Sequence, residues 1–189
     1  SSGARTTNSV TLASSGTIGV AGTFSYTATY TTGGLVNTTS TINYNGTGAQ
    51  TVAAFNYNNL TISGARTTNS VTLASSGTIG IADTFSYTAT YTTGGLVNTT
   101  STVDYNGTGA QTVIALNYNN LTSSSTGART LASSGTVGVA GTFTPGSNAY
   151  TITGSTIDYN GTGAQTVAAF NYNNLTISGA RTTNSVTLA

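Results

Sequence analysis

The sequence predicts an all-β chain wound into a parallel β-solenoid, with about three coils in each repeat of about 60 residues. Three observations carry that prediction. One 61-residue phrase recurs along the 189 residues, and a recurring unit of this size is the mark of a stacked array. Apolar and aromatic side chains occupy alternate positions over long stretches, the period of a strand with one face inward. The composition disfavours helix, since Ser, Thr, Asn and Gly dominate and Lys and Glu are absent, whereas 44 Thr and 11 Tyr suit a pleated sheet.

The repeats set the organisation. Gly3 to Ser63 aligns with Gly64 to Ser124 at an offset of 61 with seven differences, four of them exchanges of one apolar residue for another (Val20 for Ile81, Ile42 for Val103, Ala53 for Ile114, Phe55 for Leu116). The units read as 1–63, 64–126 and a shortened third copy, 127–178, in which TPGSNAYTITG stands for the longer Ser25 to Thr39 stretch. Gly179 to Ala189 then repeats Gly3 to Ala13 letter for letter, as the start of a next repeat at 179–189. There is no Met, and no terminal unit differs in the way that capping units do. The chain is therefore expected to be a processed product or part of a longer array, with both ends continuing covalently or against another copy.

Within the first copy Val10, Leu12, Ile18, Val20, Phe24, Tyr26 and Tyr30 share one parity, and Val71, Leu73, Ile79, Ile81, Phe85 and Tyr87 keep it in the second. Ser14, Ser15, Gly16, Gly19 and Gly22 interrupt the run without changing parity, so the chain is expected to bend at corners and resume in register. Gln50 and Val52 continue the pattern, Phe55 and Tyr57 shift it, and Leu60 and Ile62 restore it, which requires a bulge or turn between Ala53 and Asn59. Similar phrases recur at Ile18, Ile42, Ile62 and Ile79 in steps of 24, 20 and 17, and at Val137, Ile157 and Ile177 in steps of 20. Coils stacked about 4.8 Å apart then make a repeat about 14 Å tall and the whole segment about 45 Å. The 14-residue step from Ser123 to Val137 is short for a full coil.

The letters YNGTGAQTV appear three times, from Tyr44, Tyr105 and Tyr159. Asn45-Gly46, Asn106-Gly107 and Asn160-Gly161 tolerate positive φ and predict a sharp corner, after which Gln50, Gln111 and Gln165 turn an amide inward or stack it on an equivalent amide. The same Asn-Gly pairs are the strongest short signal for an antiparallel hairpin. Tandem small β-sandwich modules of about 60 residues are thus the alternative architecture. Units so small bury little surface alone, however, and no Pro-rich or charged linker separates them.

The stretches STINYNGTGAQTVAAFNYNNLTISG and SVTLASSGTIGVAGTF resemble the low-charge β-strand repeats of very large bacterial surface proteins, in the style of filamentous haemagglutinin-like adhesins. The resemblance covers nearly all of the chain. It implies an exported, parallel β-solenoid shaft used in adhesion or as an extracellular fibre. The secretion and attachment regions of that family have no counterpart in this sequence.

Little reactive chemistry is on offer. Four Arg and three Asp leave a net charge of +1, too weak a field to gather nucleic acid, and no apolar run approaches the roughly 20 residues of a bilayer span. No nucleic-acid partner and no membrane span are expected. Without His or Cys, and with the Asp scattered, neither a metal nor a cofactor is expected. Proton transfer needs clustered carboxylates, whereas Asp104 and Asp158 stand where the first copy has Asn43, and Asp83 stands where the others have Gly22 and Gly141. Each reads as a solvated surface group, and no enzymatic activity is expected. The recurring Arg5, Arg66, Arg129 and Arg181 read as structural or inter-subunit hydrogen-bonding residues. Eight Asn-x-Ser/Thr sites, at Asn37, Asn45, Asn59, Asn98, Asn106, Asn120, Asn160 and Asn174, leave glycosylation open.

These readings converge on a structural segment of an extracellular bacterial fibre or adhesin stalk at the cell surface. It would assemble end to end through β-strand stacking, with itself as partner and surface glycans as a second candidate. The rival is a surface-binding module for glycan or ice, with hydroxyl rows at Thr27, Thr29, Thr31 and Thr88, Thr90, Thr92 and with exposed Tyr as carbohydrate contacts.

Overall fold

A computed structural model describes residues 3–189, so the first two residues of the unit 1–63 lie outside the described residues. Among the described residues there is no helix, hence none long and apolar enough to cross a membrane, and the strands form parallel ladders. The ladders stack about 21 residues apart in a β-solenoid of about 9 turns, which at ~4.8 Å per rung rises roughly 43 Å.

The antiparallel alternative is overturned at the Asn-Gly corner itself. The flanking strands Thr41–Tyr44 and Gln50–Val52 do not pair with each other. Thr41–Tyr44 pairs instead with Thr17–Val20 beneath it and Asn59–Ile62 above it, both parallel. The physical reason lies in the alternation: Ile42 and Tyr44 point inward at 1% and 0% exposure, and a single coil has no interior until coils stack over its axis.

Each coil has three sides. Between Asn59–Ile62 and its partner Phe85–Tyr87, the chain lays Val71–Leu73 on Gln50–Val52 and Thr78–Ile81 on Asn56–Tyr57. The strand Thr17–Val20 and its repeat counterpart Thr78–Ile81 therefore belong to different sheets. One repeat takes a little under three coils, two full turns plus two further sides, so successive copies of the same phrase are rotated around the axis. Short coils span 18 residues, as from Thr41 to Asn59. Long ones span 25, as from Leu60 to Phe85, because they include a looped-out segment with its own small ladder of Ala65–Arg66 on Thr90–Tyr91.

This uneven coil length corrects several expected steps. Ile18 does pair with Ile42 and Val137 with Ile157. Ile42 pairs with Leu60 rather than Ile62, Ile157 with Leu175 rather than Ile177, and Ile62 with Tyr87 rather than Ile79. The short step from Ser123 to Val137 is no coil at all. The stacked partners there are Asn117 and Gly138, 21 residues apart, and the Ser123 N–H donates to the Thr144 carbonyl.

The core runs along the axis as one continuous column from Ile42 to Val167. The expected slip between Ala53 and Asn59 is a pair of bends: Tyr57 turns inward at 1% exposure, Asn58 bends, and Leu60 points inward again at 1%.

Candidate functional site

Two features stand out from the column: a buried polar clamp repeated at each Asn-Gly corner, and the two open ends. The structure places Asn45, Gly46 and Gln50 on one corner, Asn106, Gly107 and Gln111 on the next, and Asn160, Gly161 and Gln165 on the third, because of the rotation between copies. The three glutamines therefore do not stack on one another. Each turns inward, at 4%, 4% and 5% exposure.

The amide oxygens of Gln50, Gln111 and Gln165 accept from the N–H of Gly46, Gly107 and Gly161. Their amide nitrogens donate to two carbonyls of the coil beneath: Val20 and Gly22, Ile81 and Asp83, Val139 and Gly141. The glycines are needed for a different reason from the expected one, since none of the three has positive φ. A Cβ at Gly46, Gly107 or Gly161 would stand 2.2, 2.0 or 1.9 Å from the carbonyl oxygen of Ala21, Ala82 or Ala140. The corner is a point of close backbone approach between coils.

The arginine of each following GAR closes the clamp from above. Arg66 donates to Gly48 O, Ser63 O and the Gln50 amide oxygen. Arg129, fully buried, donates to the carbonyls of Tyr105, Gly107, Gly109 and Ser124. Burial pulls its guanidinium below the ordinary value, against the opposing pull of Tyr150 and Asp104. Arg181 grips Gly163, Tyr159 and Gln165 in the same way. Among the described residues, Arg5 has no such seat beneath it and its buried Nε has no partner.

A second network was missed by the sequence reading. Tyr44 and Tyr57 share a hydrogen bond between their hydroxyls at 2.8 Å, the Ala53 N–H donates to Tyr44, and Tyr57 donates to the Ala53 carbonyl. Tyr105 with Tyr118 and Tyr159 with Tyr172 repeat the arrangement. Burial pushes Tyr57 and Tyr118 well up and Tyr105 up to about 12. The signal available beforehand was the constant spacing of 13 between the two tyrosines of each pair.

Two of the three carboxylates expected as solvated surface groups, Asp104 and Asp158, are half-buried and serve the coil above, whereas Asp83 is exposed. Asp104 accepts from the Ser124 N–H and hydroxyl, and Asp158 from the Ser178 hydroxyl, just as Asn43 accepts from Ser63. At seven of the eight glycosylation sequons the side-chain amide nitrogen donates to another coil, the adjacent one at five and the next but one at Asn106 and Asn160, Asn45 being the exception among the described residues. Thr29 and Thr90 are exposed, as expected, but they stack on Ala4 and Ala65, so their rows do not extend into a grid. Threonines stack elsewhere: Thr112, Thr130 and Thr151 over three rungs, and pairs such as Thr51 with Thr72 and Thr166 with Thr187 over two. All 11 tyrosines are at least half-buried, which corrects the expectation of exposed tyrosine contacts.

At the ends, identical letters have different fates. Leu60 and Ile62 are 1% and 0% exposed beneath Phe85 and Tyr87, whereas their copies Leu175 and Ile177 are 40% and 46% exposed. Phe85–Tyr87 is a strand because Asn59–Ile62 lies under it. The same letters at 24–26 have no rung beneath and form no strand. Asn56–Tyr57 and Asn117–Tyr118 pair with the rung above, at Gly80–Ile81 and Gly138–Val139, but the equivalent 171–172 is unpaired. A cavity of about 590 Å³, between the coil of Asn148, Tyr150 and Ile152 and the last-coil segment Ala169 to Asn171, adjoins that unpaired stretch.

No family model, curated protein or solved structure matches the chain.

Proposed function

We propose that this chain is a structural segment of an extracellular fibre or adhesin stalk, of the kind its repeats resemble, and that it extends end to end by strand stacking. The observation that supports this reading is the uncovered last rung: Leu175 and Ile177 at 40% and 46% exposure, where the identical interior pair is sealed. Open parallel ladders present unpaired N–H and C=O groups at both ends, and such edges add further strands of matching register. Along the shaft the Gln and Arg clamps tie each coil to the ones beneath, which favours a stiff rod over a chain of separable beads. Surface binding to glycan or ice has weaker support, because Thr29 and Thr90 stack on alanines and every tyrosine is at least half-buried.

Sedimentation and electron microscopy across a concentration series test the proposal. Rods longer than the roughly 43 Å of one segment are expected, and the paired substitution Leu175→Lys with Ile177→Lys is expected to leave the fold intact and stop elongation. A chain that stays monomeric at high concentration overturns the reading. A glycan array and a thermal-hysteresis assay report on the rival.

A further inference from the structure

Resting on that end-to-end reading, we propose that copies join by segment exchange: Gly3 to Ala13 of one copy takes the seat of Gly179 to Ala189 on the next. The two segments are identical in all 11 residues, so every contact that the second makes is available to the first. Val186–Leu188 pairs with Gln165–Val167, and Val10 to Leu12 can do the same. Arg181 grips Gly163, Gln165 and Tyr159, and Arg5, whose buried Nε has no partner among the described residues, fits that grip.

Because the exchanged contacts are alike, the exchange itself is close to neutral, and its direction is set by the chain beyond residue 13. In the interior, the chain after Ala74 runs on to lay Gly80–Ile81 over Asn56–Tyr57, Phe85 over Leu60 and Tyr87 over Ile62. With the incoming segment in the seat, Gly19 and Val20 of the second copy reach the unpaired 171–172, and Phe24 and Tyr26 cover Leu175 and Ile177. What the first copy lacks above is what the second lacks beneath. The contact is head to tail and does not close on itself, so it propagates along one axis. Addition onto an undisturbed last coil leaves the incoming copy out of phase by 11 residues, and no such match is made.

The chain has no cysteine, so single exposed Thr→Cys substitutions report the junction directly. Thr166 pairs with Thr187, the counterpart of Thr11, and parallel neighbours lie within disulfide range. The variant Thr11→Cys, mixed with Thr166→Cys and oxidised, is expected to give a species of doubled mass that carries the cross-linked peptides of both. Adding Arg181→Ala to the Thr166→Cys chain raises the yield by loosening the resident segment, whereas Arg5→Ala in the Thr11→Cys chain lowers it. Cross-linking of Thr11→Cys to Thr187→Cys instead means addition onto an intact coil, which overturns the exchange and leaves end-to-end stacking standing. Rods without either cross-link overturn the exchange as well, and the absence of rods removes the reading beneath it.

Discussion

Gln50 and Arg66 meet at a single buried oxygen. The Gln50 amide oxygen accepts from Arg66 at 2.5 Å and from the Gly46 N–H at 3.0 Å, while its nitrogen holds two carbonyls of the coil beneath. One side chain thus satisfies polar groups from three successive passes of the backbone. In a column with so little aliphatic material, such groups cannot be left for water, because the corner is closed to it.

The second corner gives the cleaner test, because Gln111 does not share its oxygen with an arginine. Gln111→Leu keeps the volume but strands the Gly107 N–H and the Asp83 carbonyl, while the Ile81 carbonyl keeps the Asn106 N–H as its donor. At about 1–3 kcal/mol for each buried unsatisfied group, a loss of roughly 2 kcal/mol or more is expected. The neighbouring exposed Thr112→Ala should stay within about 0.5 kcal/mol. Denaturant unfolding, with amide exchange at Gly107 as the local reporter, separates the two.

The paired phenols predict an alkaline limit. Burial holds Tyr44, Tyr57, Tyr105 and Tyr118 protonated in the folded chain, with Tyr105 raised from 10.0 to about 12. A group whose folded value lies above its unfolded one contributes stability that is complete below the unfolded value and is lost as pH rises through the folded one. The thermal midpoint should therefore hold up to about pH 10 and fall steeply toward pH 12. Phenolate at these four residues, resolved site by site by NMR of the tyrosine rings, should appear together with loss of β-structure. Phenolate there well before unfolding contradicts the burial of these pairs.

The parity of the apolar residues made the strands legible, because interior strands such as Thr41–Tyr44 and Gln50–Val52 bury one face, and the alternation survives the Ser and Gly corners up to the shift at Phe55 and Tyr57. Pairing across coils was legible only where coil lengths happened to match the phrase spacing, as at Ile18 with Ile42 and Val137 with Ile157. Elsewhere the looped segment at Ala65–Arg66 makes one coil longer than the next, and spacing alone cannot see which letters lie in the loop. Ser123 stands where the first copy has Ile62. In the structure Ser123 is buried and accepts from the Tyr150 hydroxyl at 2.7 Å, so the polar residue answers a tyrosine that the shortened third copy brings inward. That partner is 27 residues away, and only the winding reveals it.

Three glycines, alike in the sequence, should respond to alanine in a fixed order. At Gly163 an added Cβ meets nothing within 4 Å and φ is not positive, so Gly163→Ala should be neutral or stabilise by up to about 1 kcal/mol through the unfolded chain. At Gly80 it meets the amides of Asn56 and Asn106 at 2.0 and 2.6 Å, where those side chains hydrogen-bond each other across the glycine at 3.2 Å. Side-chain ends can move aside, so Gly80→Ala should cost about the value of that one bond, roughly 1 kcal/mol. At Gly161 the obstacle is the Ala140 carbonyl at 1.9 Å, and a backbone oxygen can yield only by opening the rung. Gly161→Ala should cost more than either, about 3 kcal/mol or above, in the way that overpacking and strained backbone do. Melting temperatures of the three variants check the order, and a Gly161→Ala chain as stable as Gly163→Ala contradicts the close approach of coils at the corner.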